Sequence, residues 1–433
     1  MSDGLFRHRG ALADLDTRTL NALLNRGAAA SDAVRADVAA IVARVRREGD
    51  GALREMAREF DGATLDALEV PRERCREAWN ALEPALREAL QRAAHNIAAF
   101  HRAGLPESFE FETEPGVRIG RRPDPLGSVG VYAPGGRAAY PSSVLMGAIP
   151  ARAAGVGTVV LCSPPGQNGL PNATVLAAAE CAGVDRVFAV GGAGAIAALA
   201  YGTASVPRVD RIVGPGNAWV AEAKLQVTGA CSIDSPAGPS ELLVIADDHA
   251  DPEMIALEML AQAEHDPDAT VVTLTMSEAM AKRIDAALER ALADAPRRAV
   301  IATALGSRGA LLVARHLEAA LDFSAGFAPE HLLLAILDPH AALSRVRNAG
   351  TVFLGGSSSV AFGDYMTGAN HTLPTGGLAR SYSGLSTLDF MRWTTWQSVS
   401  AGAAARLAGD VRRLAEAEGL PAHAAAAAWG RVC

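Results

Sequence analysis

Aromatic side chains are scarce in this chain, only 5% of 433 residues, and cysteine is scarcer still. The five cysteines, Cys75, Cys162, Cys181, Cys231 and Cys433, are scattered, odd in number and without a C-x-x-C pair. That pattern excludes a disulfide framework and reads as reduced, mostly buried thiols in a cytoplasmic protein. No run of 18 or more apolar residues occurs, so no membrane span is expected, and the N-terminus lacks the apolar core of a signal peptide. A basic tract is missing too, and the formal net charge is −8, which argues against a nucleic-acid partner. What remains is 49% hydrophobic and 20% charged with 42 glycines, the balance of a globular chain of close-packed α/β layers. At this length one ordinary core does not suffice, so two or three domains are expected.

Residues 1–27 read as a short polar arm. Ser31 is placed to cap a helix with an apolar face at Val34, Val38, Ile41, Val42 and Val45, stopped at Gly49-Asp50-Gly51. Helix continues over 72–103, broken near Pro84. From Leu126 the pattern changes to short apolar runs alternating with Ala-rich segments. Val129–Tyr132, Thr158–Leu161, Val187–Val190 and Arg211–Val213 read as strands, each followed by a Gly or Pro turn. A second series has strands at Leu242–Ala246, Val271–Leu274, Ala310–Val313, Leu332–Ile336 and Thr351–Leu354, with Asp251-Pro252 opening a helix. Strands that alternate with helices predict two open parallel-sheet α/β units side by side. After Arg380 no further strand is expected, and 398–429 is predicted as an Ala-rich helical tail.

Chemistry-bearing residues gather in a few segments. Gly363 to Thr375 packs Asp364, Asn370 and His371 among glycines and a proline, and is read as a loop after the strand Thr351–Leu354. Gln262 and His265 lie three apart on the helix that starts at Pro252, a spacing that places both on one face. Carboxylate, amide and imidazole donors together suit Zn²⁺, with Mn²⁺ or Co²⁺ as substitutes, and no thiolate is near to make a structural zinc site. Glu330-His331 follows Pro329 and precedes Leu332-Leu333-Leu334, so the pair is expected at an element's end, where a carboxylate can activate water and an imidazole can move protons. The alternative is a surface Glu beside a core-edge His. Gly192-Ala193-Gly194-Ala195-Ile196-Ala197 fits a G-x-G-x-x-A dinucleotide loop after a strand, with ordinary strand-to-helix turning as the alternative.

These segments, in this order, resemble the histidinol dehydrogenase family over nearly the whole chain. The most specific are Gly214-Pro215-Gly216-Asn217, Pro236-Ala237-Gly238-Pro239-Ser240-Glu241, Gln262–His265, Ala328-Pro329-Glu330-His331 and Asn370-His371-Thr372-Leu373-Pro374-Thr375. The resemblance implies oxidation of L-histidinol to L-histidine with two NAD⁺ through the aldehyde. It implies one Zn²⁺ per subunit held by Gln262, His265, Asp364 and His423, with the substrate's imidazole and amine completing the sphere. Glu330 matches the residue that activates water for the second oxidation, and His331 the acid/base that takes the alcohol proton. Ser240, His371 and Glu418 match substrate-contacting positions, and Tyr132 and Asn217 match NAD contacts. At Gly194 the family has a glutamine that contacts NAD, a departure here.

The fold implied is a pair of open, incomplete Rossmann-like parallel-sheet domains with a helical N-terminal arm and a helical C-terminal tail. The boundaries expected are 1–27 for the arm, 28–125 with 241–380 for the zinc and catalytic domain, 126–240 for the NAD domain and 381–433 for the tail. The tail is expected to cross to the partner in an intertwined homodimer, so that Glu418 and His423 complete the other chain's site. Competing readings are a relative that oxidises another small polyol such as a sulfopropanediol, a zinc hydrolase without NAD, and a non-catalytic zinc-binding relative.

Overall fold

The computed structural model describes residues 5–27, 31–135 and 139–429. Gly136 of the turn expected after Tyr132 and Cys433 lie outside these residues. In chain order the strands are β1 (His8–Ala11), β2 (Glu69–Val70), β3 (Phe109–Glu114), β4 (Val117–Pro125), β5 (Ser128–Tyr132), β6 (Thr158–Ser163), β7 (Arg186–Ala189), β8 (Arg211–Val213), β9 (Ser232–Ile233), β10 (Glu241–Ala246), β11 (Thr270–Thr275), β12 (Ala310–Val313), β13 (His331–Ala335), β14 (Thr351–Leu354) and β15 (Met391–Val399).

Two six-stranded sheets carry the larger of two compact units, residues 1–104 with 127–390. The first runs β1-β12-β11-β10-β13-β14 and is parallel throughout. The second runs β2-β7-β6-β5-β8-β9, parallel except where β2 pairs antiparallel with β7. Both wind the same way: three strands outward in one direction, then a return past the first strand to add the rest on its other side. The strands β10, β11 and β13 are buried along their whole length, as expected for a parallel sheet with helices on both faces. Side chains of β10 alternate between two apolar clusters, Leu242, Val244 and Ala246 in one and Leu243 and Ile245 in the other.

Local signals in the sequence act as read. The Ser31 hydroxyl accepts from the Val34 N–H to start helix Asp32–Glu48, and Gly49, at φ 55°, ends it. Helices Arg72–Ala81 and Pro84–Ala103 are separated at Leu82-Glu83, ahead of Pro84. Cys75, Cys162 and Cys231 are buried free thiols, and Cys181 is half-buried. Among the described residues no helix is long and apolar enough to cross a membrane.

Three placements differ from expectation. β1, drawn from the arm, adds to the edge of the first sheet beside β12. Residues 28–125 do not accompany that sheet: β2 pairs with β7 of the second, and helices Asp32–Glu48, Asp50–Phe60 and Arg72–Ala81 pack against helices of the second sheet. The pairing of 28–125 with 241–380 expected from the sequence is therefore replaced by packing on the second sheet. Finally, β15 follows Arg380, where no strand was expected. It joins β4 and β3 in an antiparallel three-stranded sheet, within a second unit of residues 105–126 and 391–433. No residue of β15 is buried, so it lacks the alternation that marks a core strand. Gly120 on β4 lets the Trp396 ring lie against the backbone, where a Cβ would come within 2.7 Å. Helices Ala401–Ala417 and Pro421–Ala428 complete this unit.

Candidate active site

In the larger unit the chemistry gathers at the N-terminal ends of β10 and β13. These neighbours start in register, Leu242 beside His331, which brings Ser240-Glu241 next to Glu330-His331. Helix Leu317–Phe327 ends on Ala328 in the left-handed conformation (φ 52°), and Pro329 then turns the chain into β13. Gly350 lets the next strand approach, since a Cβ there would meet the Glu330 carbonyl oxygen at 2.6 Å. Glu330 and His331 are therefore at an element's end, as the sequence suggested, and both are buried.

Two helices bring further donors to this edge because each runs back antiparallel to the strand before it. Helix Pro252–Ala263 starts at its Asp251 N-cap after β10 and carries Gln262, buried, in its last turn. The helix stops at Ala263, so His265 is not on its face; a turn with the His265 N–H 3.4 Å from the Gln262 carbonyl keeps the two adjacent. Asp364 is not in a loop either, but in the last turn of the short helix Val360–Tyr365. That helix is tied to the previous one, since the Val360 N–H donates to the Glu258 carboxylate at 3.1 Å. Glu258 and Gln262 are one turn apart, so this bond fixes Asp364 relative to Gln262.

His371 does lie in an irregular segment, held by side-chain contacts rather than by a ladder. The Asn96 amide donates to the Met366 carbonyl, the Asn370 amide donates to the Met146 carbonyl, and the Gly238 N–H donates to the Thr375 hydroxyl.

Burial dominates the electrostatics. His331 Nδ1 lies 3.0 Å from the Glu241 carbonyl oxygen. A carbonyl only accepts, so Nδ1 carries the proton and Nε2 the lone pair. Nε2 is buried without a hydrogen-bond partner among the described residues, 3.8 Å from the Asp364 carboxylate. Burial, then the nearby His371 and His265 rings, hold the His331 pKa down to about 4, so the ring is neutral. His371 is likewise held to about 4 by burial and by His265, and its Nε2 is buried and unpartnered among the described residues. The Glu330 carboxylate accepts from the Glu241 N–H at 2.7 Å, yet burial raises its pKa well above the usual range. Burial, with Glu258 adding to it, lifts Asp364 to about 7.

Among the described residues no three His, Cys, Asp or Glu side chains converge to hold a metal. Of the expected zinc set, this unit supplies one carboxylate, one imidazole and the Gln262 amide. Asp364 has no hydrogen-bond donor among the described residues, and the Glu258 carboxylate adds to the pressure against its charge. A buried carboxylate in that state fits a divalent cation, and amide, imidazole and carboxylate donors suit zinc. Glu418 and His423 belong to the second unit, where both are exposed: Glu418 caps helix Ala401–Ala417 and His423 is the third residue of the next helix.

The expected NAD residues follow the C-terminal ends of the second sheet's strands. Tyr132 ends β5, Gly191-Gly192 follows β7, and Gly214-Pro215-Gly216-Asn217 follows β8. The strand order reverses at β5, which has β6 on one side and β8 on the other, the place where open α/β sheets leave a ligand crevice. Tyr132 is buried, its hydroxyl accepting from the Gly192 N–H at 3.1 Å, and burial pushes its pKa up to about 12. Asn217 is exposed and caps helix Ala218–Gln226. Gly194 is buried in the first turn of helix Gly192–Tyr201, where a Cβ would come within 3.1 Å of Met56 Sδ and 3.3 Å of Leu53 Cδ2. Its lack of a side chain admits helix Asp50–Phe60.

Sequence reasoning passed over two residues that this geometry brings forward. Glu241 was quoted only as the end of a motif, yet its backbone holds both Glu330 and His331. Arg26, which pairs with the Glu241 side chain, carried no sequence signal, because arginine is mostly exposed and one at the end of a polar arm reads as a surface residue.

A family model described as histidinol dehydrogenase matches residues 24–430. A curated relative of that name from Natronomonas pharaonis is 51% identical over 96% of this chain and 97% of its own length. Another, from Methanothermobacter thermautotrophicus, is 47% identical over 95% and 97%. The crystal structure of histidinol dehydrogenase from Elizabethkingia anophelis superposes with a TM-score of 0.93 at 35% identity, covering 99% of this chain and 98% of that one.

Proposed function

The chain belongs to the histidinol dehydrogenase family, and from that premise we propose that it oxidises L-histidinol to L-histidine through L-histidinaldehyde with two NAD⁺. The single observation that best supports this chemistry is the state of His331: neutral, protonated on Nδ1 by its contact with a carbonyl, with a buried lone pair on Nε2. That is a base ready for an alcohol proton. Glu330 stands beside it as a second base whose raised pKa suits it to take a proton from water.

In the first oxidation His331 Nε2 accepts the hydroxyl proton of histidinol as hydride leaves the same carbon. In the second, Glu330 takes a proton from the water that adds to the aldehyde while His331 returns its proton to the aldehyde oxygen, and His331 then accepts a hydroxyl proton of the resulting hydrate as the second hydride departs. Overall, histidinol, water and two NAD⁺ give histidine, two NADH and three protons. Zinc, when bound, supplies a Lewis acid that fixes the substrate, and NAD⁺ supplies the hydride acceptor. Gln262, His265 and Asp364 would hold the zinc from one chain, with His423 from the tail of a second copy in an intertwined homodimer. Ser240, His371 and Glu418 are the proposed substrate contacts, and Tyr132 and Asn217 border the NAD crevice. The two sheets are read as incomplete Rossmann-like domains, and the location as cytoplasmic.

The test is stoichiometry. Zinc-loaded protein should form two NADH per histidinol consumed, with no free aldehyde. No NADH at all overturns the reading, and one NADH with aldehyde accumulating overturns the role of Glu330.

A further inference from the structure

We propose that the buried Arg26–Glu241 ion pair is the positioning device that holds both proton-transfer residues, with Glu241 acting through its backbone and Arg26 through Glu241. This rests on the functional reading above. Glu241 is the first residue of β10, where a strand end has ladder support on one side only. Its N–H donates to Glu330 and its carbonyl accepts from His331 Nδ1. One peptide unit on each side of a single Cα therefore sets the orientation of the water-activating carboxylate and the tautomer of the base. A rotation at Glu241 would disturb both at once.

What fixes that residue is its side chain. Arg26 reaches it with two parallel contacts, Nε to Oε1 at 2.8 Å and Nη2 to Oε2 at 2.9 Å. The Gly376 N–H adds a third, to Oε1 at 3.0 Å, from the segment that carries His371. The guanidinium is itself immobilised. It donates to the Leu23 and Phe327 carbonyls at 2.7 and 2.9 Å, and its carbon sits 3.3 Å from the centre of the Phe327 ring. Both side chains are almost wholly buried, 5% and 3% exposed. A pair so desolvated contributes little net stability over an apolar equivalent, and fixing a register is the best attested use of such pairs. Its planar fork also explains why arginine, not lysine, stands here. The catalytic edge is thus braced by a residue of the N-terminal arm, some two hundred residues away in sequence.

The experiment compares Arg26→Gln and Arg26→Lys with the unaltered zinc-loaded enzyme. Each is measured for kcat and KM in histidinol and histidinaldehyde oxidation, per folded molecule, and by the ¹⁵N signals of His331 in histidine-labelled protein. Arg26→Gln is expected to lower kcat about ten- to hundredfold in both oxidations, part of the full worth of a positioned acid/base. KM for histidinol should change less than about threefold, and the His331 signals should move from the Nδ1–H tautomer toward a mixture. Arg26→Lys keeps the charge but loses the fork, so it should fold even if the glutamine variant does not and show the same changes in smaller degree. Unchanged kcat and unchanged His331 signals in a folded variant overturn the proposal, whatever happens to its melting temperature. Should the unaltered enzyme form no NADH from histidinol, the functional reading fails instead, and the His331 signals still decide the brace.

Discussion

Lys224 and Asp234 form the most consequential ion pair of the second sheet, and their removal gives the sharpest test of how the Gly214-Pro215-Gly216-Asn217 loop is held. Lys224 is one of only two lysines in the chain, and it is buried with Asp234, their side chains 4% and 3% exposed. Besides pairing with each other, both grip one residue: the Lys224 ammonium donates to the Gly214 carbonyl at 3.0 Å, and Asp234 accepts from the Gly214 N–H at 2.7 Å. Gly214 is at φ 116°, and a Cβ there would lie 2.1 Å from the Tyr132 carbonyl oxygen, so the loop is pressed onto the end of β5. Lys224→Met strands a buried carboxylate and Asp234→Asn strands a buried ammonium; each should cost about 3–5 kcal/mol. The double variant strands no charge. It keeps an acceptor for the Gly214 N–H and loses only the donor to its carbonyl, so its cost should be about 1–3 kcal/mol, less than either single change. Urea midpoints for the four proteins measure this directly. KM for NAD⁺ should rise in the double variant while that for histidinol holds, because the loop borders only the proposed NAD crevice. If the double variant loses the sum of the two single losses, the side chains do not act as a pair and the reasoning fails.

His331→Asn should lower kcat about 10²–10⁴-fold in both oxidations, the usual worth of a positioned acid/base, and near-normal turnover would remove it from the mechanism. Glu330→Gln should yield one NADH per site quickly and then stall in single-turnover experiments; equal slowing of both steps would contradict the division of labour. Asp364→Ala should lose zinc together with activity, and stoichiometric zinc after gel filtration would show that Asp364 is not a ligand. His101, buried and held to about 4 by desolvation, stabilises the fold less in acid. Its folded pKa lies below the unfolded one, so the fold takes up fewer protons between about pH 6.5 and 4, and stability attached to this residue falls as pH drops through that window. His101→Leu escapes this, so its stability relative to the unaltered protein should improve by about 2–3 kcal/mol from pH 7 to pH 4; a constant difference would refute the assignment.

Periodicity and turn chemistry made the eight central strands of the two sheets and the edge strand β14 legible, because a parallel strand inside a covered sheet is a short apolar run bounded by turn residues. Partners were not legible. β1, β2, β9 and β15 are short or exposed, and their pairing is decided by which sheet edge lies open, a tertiary fact. Gly194 shows the same limit at a single residue. Its place in a G-x-G-x-x-A pattern suggested a cofactor loop, but the missing side chain makes room for Leu53 and Met56. Only the position of another helix distinguishes the two roles, and no local pattern encodes it.

The site's location is the deeper case. Open α/β sheets place ligands at the C-terminal ends of their strands, and the second sheet presents Tyr132, Gly192 and Gly214, the proposed NAD residues, at those ends. The first sheet does not: Ser240 and Glu330 precede their strands, and His331 is the first residue of β13. What makes an N-terminal edge workable there is the return of two helices, which deliver Gln262 and Asp364 at their C-terminal ends. Helix C-termini present carbonyls and partial negative charge, which favours a cation and disfavours an anionic cofactor. The two edges are thus suited to opposite charges, which matches the proposed metal on one sheet and the proposed dinucleotide phosphate on the other. In the proposed reaction, two sheets of one winding would divide a metal-assisted dehydrogenation between them because each uses a different end of its strands.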